Sequence, residues 1–237
     1  MLQLRRRGGQ AVAHRGVREL SMTLMRYKLA LLLLLAAIGL AVVGAAQADD
    51  LERGEELYGL CLQCHGTEGE GNREALAPAI AGMDQWYVVA QLKNFRSGAR
   101  GLHPGDMGGL RMYPMSQTLK QDEDIEAVSA YVSNMRVTSP EQVIVGGDAA
   151  NGAALYVLCQ QCHGAAGEGN QVMNSPGLTG ISDWYLVDGL SKFKQGIRGA
   201  NPANPNAVMM RGMSNTLADD QAIKDVVAHI MTLQQAN

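Results

Sequence analysis

The pentapeptide Cys61-Leu62-Gln63-Cys64-His65 recurs 98 residues later as Cys159-Gln160-Gln161-Cys162-His163, and the two copies use all four cysteines of the 237-residue chain. C-x-x-C-H is the sequence to which a c-type haem is attached. The two-residue spacer lets neighbouring turns of one helix present both sulfurs to the porphyrin vinyl groups, and the histidine that follows reaches the iron from below. Cys61, Cys64, Cys159 and Cys162 are therefore candidate thioether links, and His65 and His163 candidate axial ligands, of two covalently bound haem c groups. Competing uses of Cys-x-x-Cys fare worse. A Cys2His2 zinc site needs a second histidine at H-x3-5-H spacing, and the remaining histidines, His14, His103 and His229, do not supply it. A thioredoxin-like site needs a βαβ surround, whereas the flanks here are Gly-rich and helical.

The 98-residue offset extends well beyond the motifs. Leu57-Tyr58 maps onto Leu155-Tyr156, Gly69-Glu70-Gly71-Asn72 onto Gly167-Glu168-Gly169-Asn170, and Pro78 onto Pro176. Trp86-Tyr87 maps onto Trp184-Tyr185, Phe95 onto Phe193, Arg100-Gly101 onto Arg198-Gly199, and Met112 and Met115 onto Met210 and Met213. No insertion is needed. This predicts a duplicated module: an N-terminal monohaem domain at 49–136, a linker at 137–147 and a C-terminal monohaem domain at 148–237.

Each module reads as all-α. Asp50 is placed to cap a helix that runs from Leu51 into the haem motif, and a second helix starts near Asp84 with Trp86, Val89, Leu92 and Phe95 on one face. A third, from Asp122 to Met135, shows Ile125, Val128, Val132 and Met135 at helical spacing, a pattern repeated by Ile223, Val226, Val227 and Ile230. Gly-rich loops are expected at 66–82 and 98–109. Loops of this length are unusual in a compact domain, but a flat cofactor that supplies much of the core gives them something to wrap. An aromatic content of 5% agrees, because porphyrin replaces buried aromatic area. The expected fold is thus two tandem small helical domains, each wrapped around a covalent haem that staples it.

Residues 1–48 read as a signal peptide: Arg26 and Lys28 precede an apolar run over 29–43, and Ala46-Gln47-Ala48 is an A-x-A cleavage signal before Asp49. Met22 or Met25 offers a more ordinary start than Met1, and Arg5-Arg6-Arg7 lacks the hydrophobic motif of a twin-arginine signal. Export to the periplasm follows. If the site is skipped, the same run is long enough to act as a membrane anchor. Residues 1–48 hold seven of the 20 Lys and Arg and one of the 23 Asp and Glu, so residues 49–237 keep 13 and 22, a net charge of −9. An acidic carrier is steered toward basic docking patches on proteins and away from nucleic acid.

Each iron needs a sixth ligand or an open face. His103 aligns with Asn201 and His229 with Tyr131, so neither histidine repeats, whereas Met112 and Met115 both do. A thioether favours ferrous iron and raises the potential; the other methionine of each pair fills space against the porphyrin. With these residues in view, nearly all of the chain after residue 48 resembles a dihaem class I cytochrome c of the cytochrome c4 family. The resemblance implies that the ligand opens a segment M-x-[GP], which selects Met112 and Met210 and leaves Met115 and Met213 as second choices. It also implies that a proline carbonyl in P-x-[LI]-x-G accepts the proximal histidine N–H. Pro78-Ala79-Ile80-Ala81-Gly82 and Pro176-Gly177-Leu178-Thr179-Gly180 match that pattern. Trp86-Tyr87 and Trp184-Tyr185 are expected against the haem edges. Arg100 and Arg198 suit either a bidentate fork to a propionate or a solvated loop. His103 reads as a surface loop residue, and Asp122-Glu123-Asp124 as the acidic first turn of a helix.

If both irons are six-coordinate, no substrate site remains, and the chain is an electron-transfer protein rather than an enzyme. The family resemblance implies transfer from a bc1-type complex to a terminal oxidase. An electron-accepting subunit of a dehydrogenase, such as a sulfide-oxidising flavocytochrome, would have a similar sequence. A dihaem cytochrome c peroxidase needs one open iron and an asymmetric pair of sites, and the repeated methionine segments argue against it.

Overall fold

The computed structural model describes residues 49–137, 139 and 142–235, together with the single positions 25, 28, 31, 32 and 35. The chain divides into two units, Met1–Asp49 and Asp50–Asn237. In the first, the five single positions are helical and exposed; the cleavage signal Ala46-Gln47-Ala48 and most of the apolar run lie outside the described residues. Among the described residues no helix is long and apolar enough to cross a membrane.

The second unit is built twice from the same parts, and every described element is helical apart from two isolated bridges, Asn72 with Ala77 and Asn170 with Ser175. In the first half, residues 50–58 are helical (α1), and α2 (Leu62–His65) carries the haem motif. They are followed by α3 (Gln85–Arg96), α4 (Met107–Ser116) and α5 (Asp122–Asn134). The second half runs α6 (Ala149–His163), a 3-10 turn at Gln171–Met173, α7 (Asp183–Lys194), α8 (Pro205–Ser214) and α9 (Asp220–Gln235). The starts of α3, α4 and α5 repeat at α7, α8 and α9 with the 98-residue offset intact.

Three local expectations are corrected. Asp50 lies within α1 rather than capping it. The motif helix of the first half is interrupted at 59–61, where turn bonds from Gly59 to Glu56 (3.2 Å) and from Cys61 to Tyr58 (2.7 Å) replace the helical ladder. The second half has Val157 and Leu158 at the places of Gly59 and Leu60 and stays one continuous helix; glycine costs a helix interior about 1 kcal/mol. The loop expected over 98–109 is cut short: Gly108 and Gly109 enter α4, which carries Met112 and Met115 as α8 carries Met210 and Met213. Asp106 and Asn204 start these helices by accepting from the N–H of Gly109 and Ala207, at 3.1 Å each. Pro205 occupies the first turn of α8, where its missing N–H costs nothing.

Each half has its own core. In the first, Ile125, Val128 and Val132 on α5 bury against Tyr58 and Leu119, with Val89 and Leu92 of α3 and Met135 packed beside them. In the second, Ile223, Val226, Val227 and Ile230 on α9 meet Tyr156 and Leu217. Each of these side chains contributes about 1.5–3 kcal/mol by leaving water. The motif helix crosses the last helix at a glycine in both halves: Gly54 lies against Ala127 and Tyr131, and Gly152 against Asp225 and His229. The connection after α5 is fixed to the second half, where Asp183 accepts from the N–H groups of Val143 and Ile144 at 2.8 and 2.7 Å.

Candidate haem clefts and their shared wall

Both histidines of the motifs are held in the same way. His65 Nδ1 lies 2.9 Å from the Pro78 carbonyl, and His163 Nδ1 lies 2.8 Å from that of Pro176. In both, burial lowers the imidazole pKa, with the proline carbonyl opposing it. A neutral ring that donates from Nδ1 keeps its Nε2 lone pair for a metal. The loop after each motif is held as well: Gly66 and Gly164 turn away with φ of 83° and 82°. Tyr58 and Tyr156 hydroxyls donate to the carbonyls of these glycines at 2.7 and 2.9 Å. Burial raises both phenols, Tyr156 to about 12, so they stay protonated donors.

None of the four cysteines is in a disulfide. In the second half Cys159, Cys162, His163 and Pro176 line an open, largely apolar cleft with Leu178, Leu190 and Phe193. Met209, Met210 and Met213 line the same cleft. The sequence pairs Met210 with Met213, and the cleft receives both. Ser116 and Ser214, not singled out in the sequence, are fully buried at the ends of the methionine helices and donate to the carbonyls of Tyr113 and Arg211 at 2.7 and 2.9 Å.

The second cleft is not built from its own half alone. Trp86, Tyr87, Ala90, Gln91 and Asn94, all on α3 of the first half, form part of its wall beside Tyr185 and Arg198. Trp86 and Tyr87, expected against a haem edge, thus line the neighbouring domain's cleft. Between the halves, Arg100 donates to Gln91 Oε1 at 2.6 Å and to the Tyr185 hydroxyl at 2.7 Å, and stacks 4.3 Å from the centre of the Phe95 ring. Its Nε is enclosed without a partner. Arg198 stacks 4.2 Å from the Phe193 ring, and no carboxylate pairs with it among the described residues. Burial lowers the Arg198 pKa, and the neighbouring Arg100 lowers it further. The solvated-loop reading of these arginines is thus replaced: both are partly buried where the halves meet. The Tyr185 hydroxyl is engaged by Arg100.

A porphyrin carries an apolar face and two carboxylates on one edge. An apolar cleft with two thiols and an imidazole on its lining, together with the Arg198 guanidinium, which no carboxylate pairs with among the described residues, fits both parts of that group. Arg198, whose counterpart of Gln91 is Gly189, has its fork unclaimed by any carboxylate and suits a propionate.

The cytochrome c family model matches residues 51–136 and again 149–234. The chain belongs to the cytochrome c family. With one such domain in each half, it is a dihaem member of the cytochrome c4 type that carries two covalently bound haem c groups. A thiosulfate dehydrogenase electron acceptor of Stutzerimonas stutzeri strain A1501 is 32% identical over 184 residues, covering 72% of this chain and 78% of that one. Cytochrome c4 of Stutzerimonas stutzeri is 28% identical, covering 80% of this chain and 90% of that one. The crystal structure of reduced recombinant cytochrome c4 from Pseudomonas stutzeri superposes with a TM-score of 0.59 at 26% identity, over 76% of this chain and 97% of that chain. The fold is accordingly two tandem cytochrome c domains, and the protein transfers electrons without being an enzyme.

Proposed function

We propose that this cytochrome is exported to the periplasm and carries electrons from a bc1-type complex toward a terminal oxidase. The haems supply a one-electron ferric/ferrous couple. In this reading Cys61, Cys64, Cys159 and Cys162 hold them, His65 and His163 ligate from one side, and Met112 and Met210 ligate from the other. Met115 and Met213 then pack against the rings. Pro78 and Pro176 orient the imidazoles through the bonds of 2.9 and 2.8 Å. The observation that supports transfer between domains is the shared wall: α3 lines the second cleft, and Arg100 bridges to Tyr185 at 2.7 Å. With a haem in each half, electron exchange across this wall would let one domain take an electron from a donor and the other pass it on. The net charge of −9 over residues 49–237 favours basic docking surfaces.

A second reading is favoured by the 32% identical relative named as a thiosulfate dehydrogenase electron acceptor: the electron source is a dehydrogenase that oxidises a reduced sulfur compound. Stopped-flow reduction of the oxidised holoprotein separates the two. Fast, salt-sensitive reduction by a quinol-fed bc1-type complex supports the first. Reduction only by a thiosulfate-fed dehydrogenase selects the second and discards the first.

A further inference from the structure

The two halves repeat almost everything that faces the haem motifs, but not the charges along the shared wall. On the second cleft the neighbouring domain presents Ala90 and Asn94. The 98-residue offset puts Asp188 and Lys192 at the equivalent positions facing the first half. Lys192 Nζ reaches across to Asp106 Oδ1 at 2.8 Å and along its own helix to Asp188 Oδ2 at 2.6 Å. The Lys192 and Asp106 side chains are only 15% and 6% exposed. Asp106 is also the residue that starts α4, the helix of Met112, through its bond from the Gly109 N–H. Its counterpart Asn204 starts α8 with no cation upon it. Arg100 and Arg198 also lie near Asp106 but repeat, one from each half; of the unrepeated charges, the first half thus has two carboxylates and one ammonium beside its methionine helix, a sum of −1, where the second half has three neutral residues.

We propose that the Asp106–Lys192–Asp188 cluster sets which domain holds the electron in the one-electron-reduced protein. The exchange moves one electron from a ferrous iron to a ferric one and leaves the first ferric and the second ferrous, with no proton or atom transferred. A net negative charge stabilises the ferric form beside it, so the cluster biases the electron toward the second domain. Lys192 and Asp106 act in opposite senses: the ammonium holds electron density in the first domain, and each carboxylate repels it. Because the pair is buried, salt screens it little. These are positioning charges, not iron ligands. The inference rests on electron exchange between the two domains and is independent of which donor or acceptor is used.

The test is NMR of the holoprotein reduced by one electron per molecule, in which the haem-methyl shifts of each domain report its ferric fraction. In D106N, where the cap is kept in the form already used by Asn204, the fraction of electron on the first domain should rise, changing the distribution ratio by about threefold to tenfold. In K192N the ratio should move by a similar factor the other way. Combining Asp106→Asn, Asp188→Ala and Lys192→Asn copies the neutral set of the second half and should also raise the electron share of the first domain, by less at high salt because Asp188 is 38% exposed, whereas the D106N shift should keep its size. Movement of D106N and K192N in the same direction, or no movement in either, overturns the proposal. A purely structural role for the pair would lower the melting temperature of both variants without opposite shifts. Absence of exchange itself would appear differently, as a distribution that depends on how the electron was delivered.

Discussion

Placing a methyl group at Gly152 should separate the helices that hold the second domain together. A Cβ built there lies 3.0 Å from His229 Cβ and 2.5 Å from the Asp225 carbonyl carbon, and closer still to its oxygen. The neighbours on the Asp225 side are backbone and cannot rotate away, so α6 and α9 must part by about 1 Å to restore ordinary contact. A gap of that size forfeits about a quarter to a half of the dispersion energy across it. The seam includes Tyr156, Val226, Val227 and Ile230, all buried. Overpacking of this kind costs about 1–3 kcal/mol, and a backbone clash belongs at the upper end. For a folded unit of this size, about 3 kcal/mol lowers the melting temperature by about 6–12 °C. The assay is thermal unfolding of the holoprotein by far-UV circular dichroism, with Gly212→Ala as the control. Nothing lies within 4 Å of a Cβ at Gly212, and a helical glycine replaced by alanine gains up to about 1 kcal/mol. Gly54→Ala should repeat the loss in the first domain, since its Cβ would lie 2.7 Å from Tyr131 Cβ and 2.9 Å from the Ala127 carbonyl carbon. A Gly152→Ala protein that melts within about 2 °C of wild type would refute the argument that this crossing is closed by backbone contact.

Tyr156→Phe removes the buried hydroxyl that donates to Gly164 O at 2.9 Å; the loss should be about 1–2 kcal/mol, read as a lower denaturant midpoint with an unchanged slope. The Asp225 carboxylate accepts from the Asp148 N–H, and also from the side chains of Asn151 and Gln221, which hold its pKa below the ordinary 3.8. That stabilisation is present above pH 3.8 and is lost as the pH falls through the lower folded value. Asp225→Asn should therefore melt below wild type at pH 7, and the difference should close on acidification below about pH 3.8; a constant difference would be inconsistent with the carboxylate being its source. Carbon monoxide added to the reduced wild-type protein should leave the visible spectrum unchanged. In Met112→Ala or Met210→Ala it should shift about half of the haem absorbance, one site of two. If Met115→Ala or Met213→Ala gives that shift instead, the ligand assignment moves by one helical turn.

The duplication was legible because the demands of a covalent haem are local and dense. Thiols with two residues between them, a histidine next to them and a glycine to turn the chain leave a pattern that survives at a fixed offset. The cores of α5 and α9 were legible for a related reason, since apolar side chains at helical spacing have one face to bury. The helices α4 and α8 were not. Met107–Ser116 contains Gly108, Gly109 and Pro114, which argue against a helix on propensity, and packing beside α3 outweighs that. The broken motif helix of the first half did leave a signal, Gly59 in place of Val157. What the sequence could not show was that Trp86 and Tyr87 would line the other domain's cleft, because contact across a pseudo-symmetric interface leaves no periodicity in either partner.

The distribution of repeated and unrepeated residues follows from that interface. Tyr58 and Tyr156, His65 and His163, Pro78 and Pro176 make the same bonds in both halves, as positions that meet the same cofactor would under the proposed function. Positions on the shared wall meet the other half instead, and a change on one side is matched on the opposite side and not at the equivalent residue. Gln91 holds Arg100 at 2.6 Å, whereas Gly189 leaves Arg198 unheld by its own helix; Lys192 holds Asp106 at 2.8 Å, whereas Asn94 and Asn204 face each other's domains as neutral groups. Two equal haem sites can therefore be given unequal electrostatic surroundings without altering a single residue that binds the cofactor. That is the condition under which a duplicated carrier can have a direction of transfer.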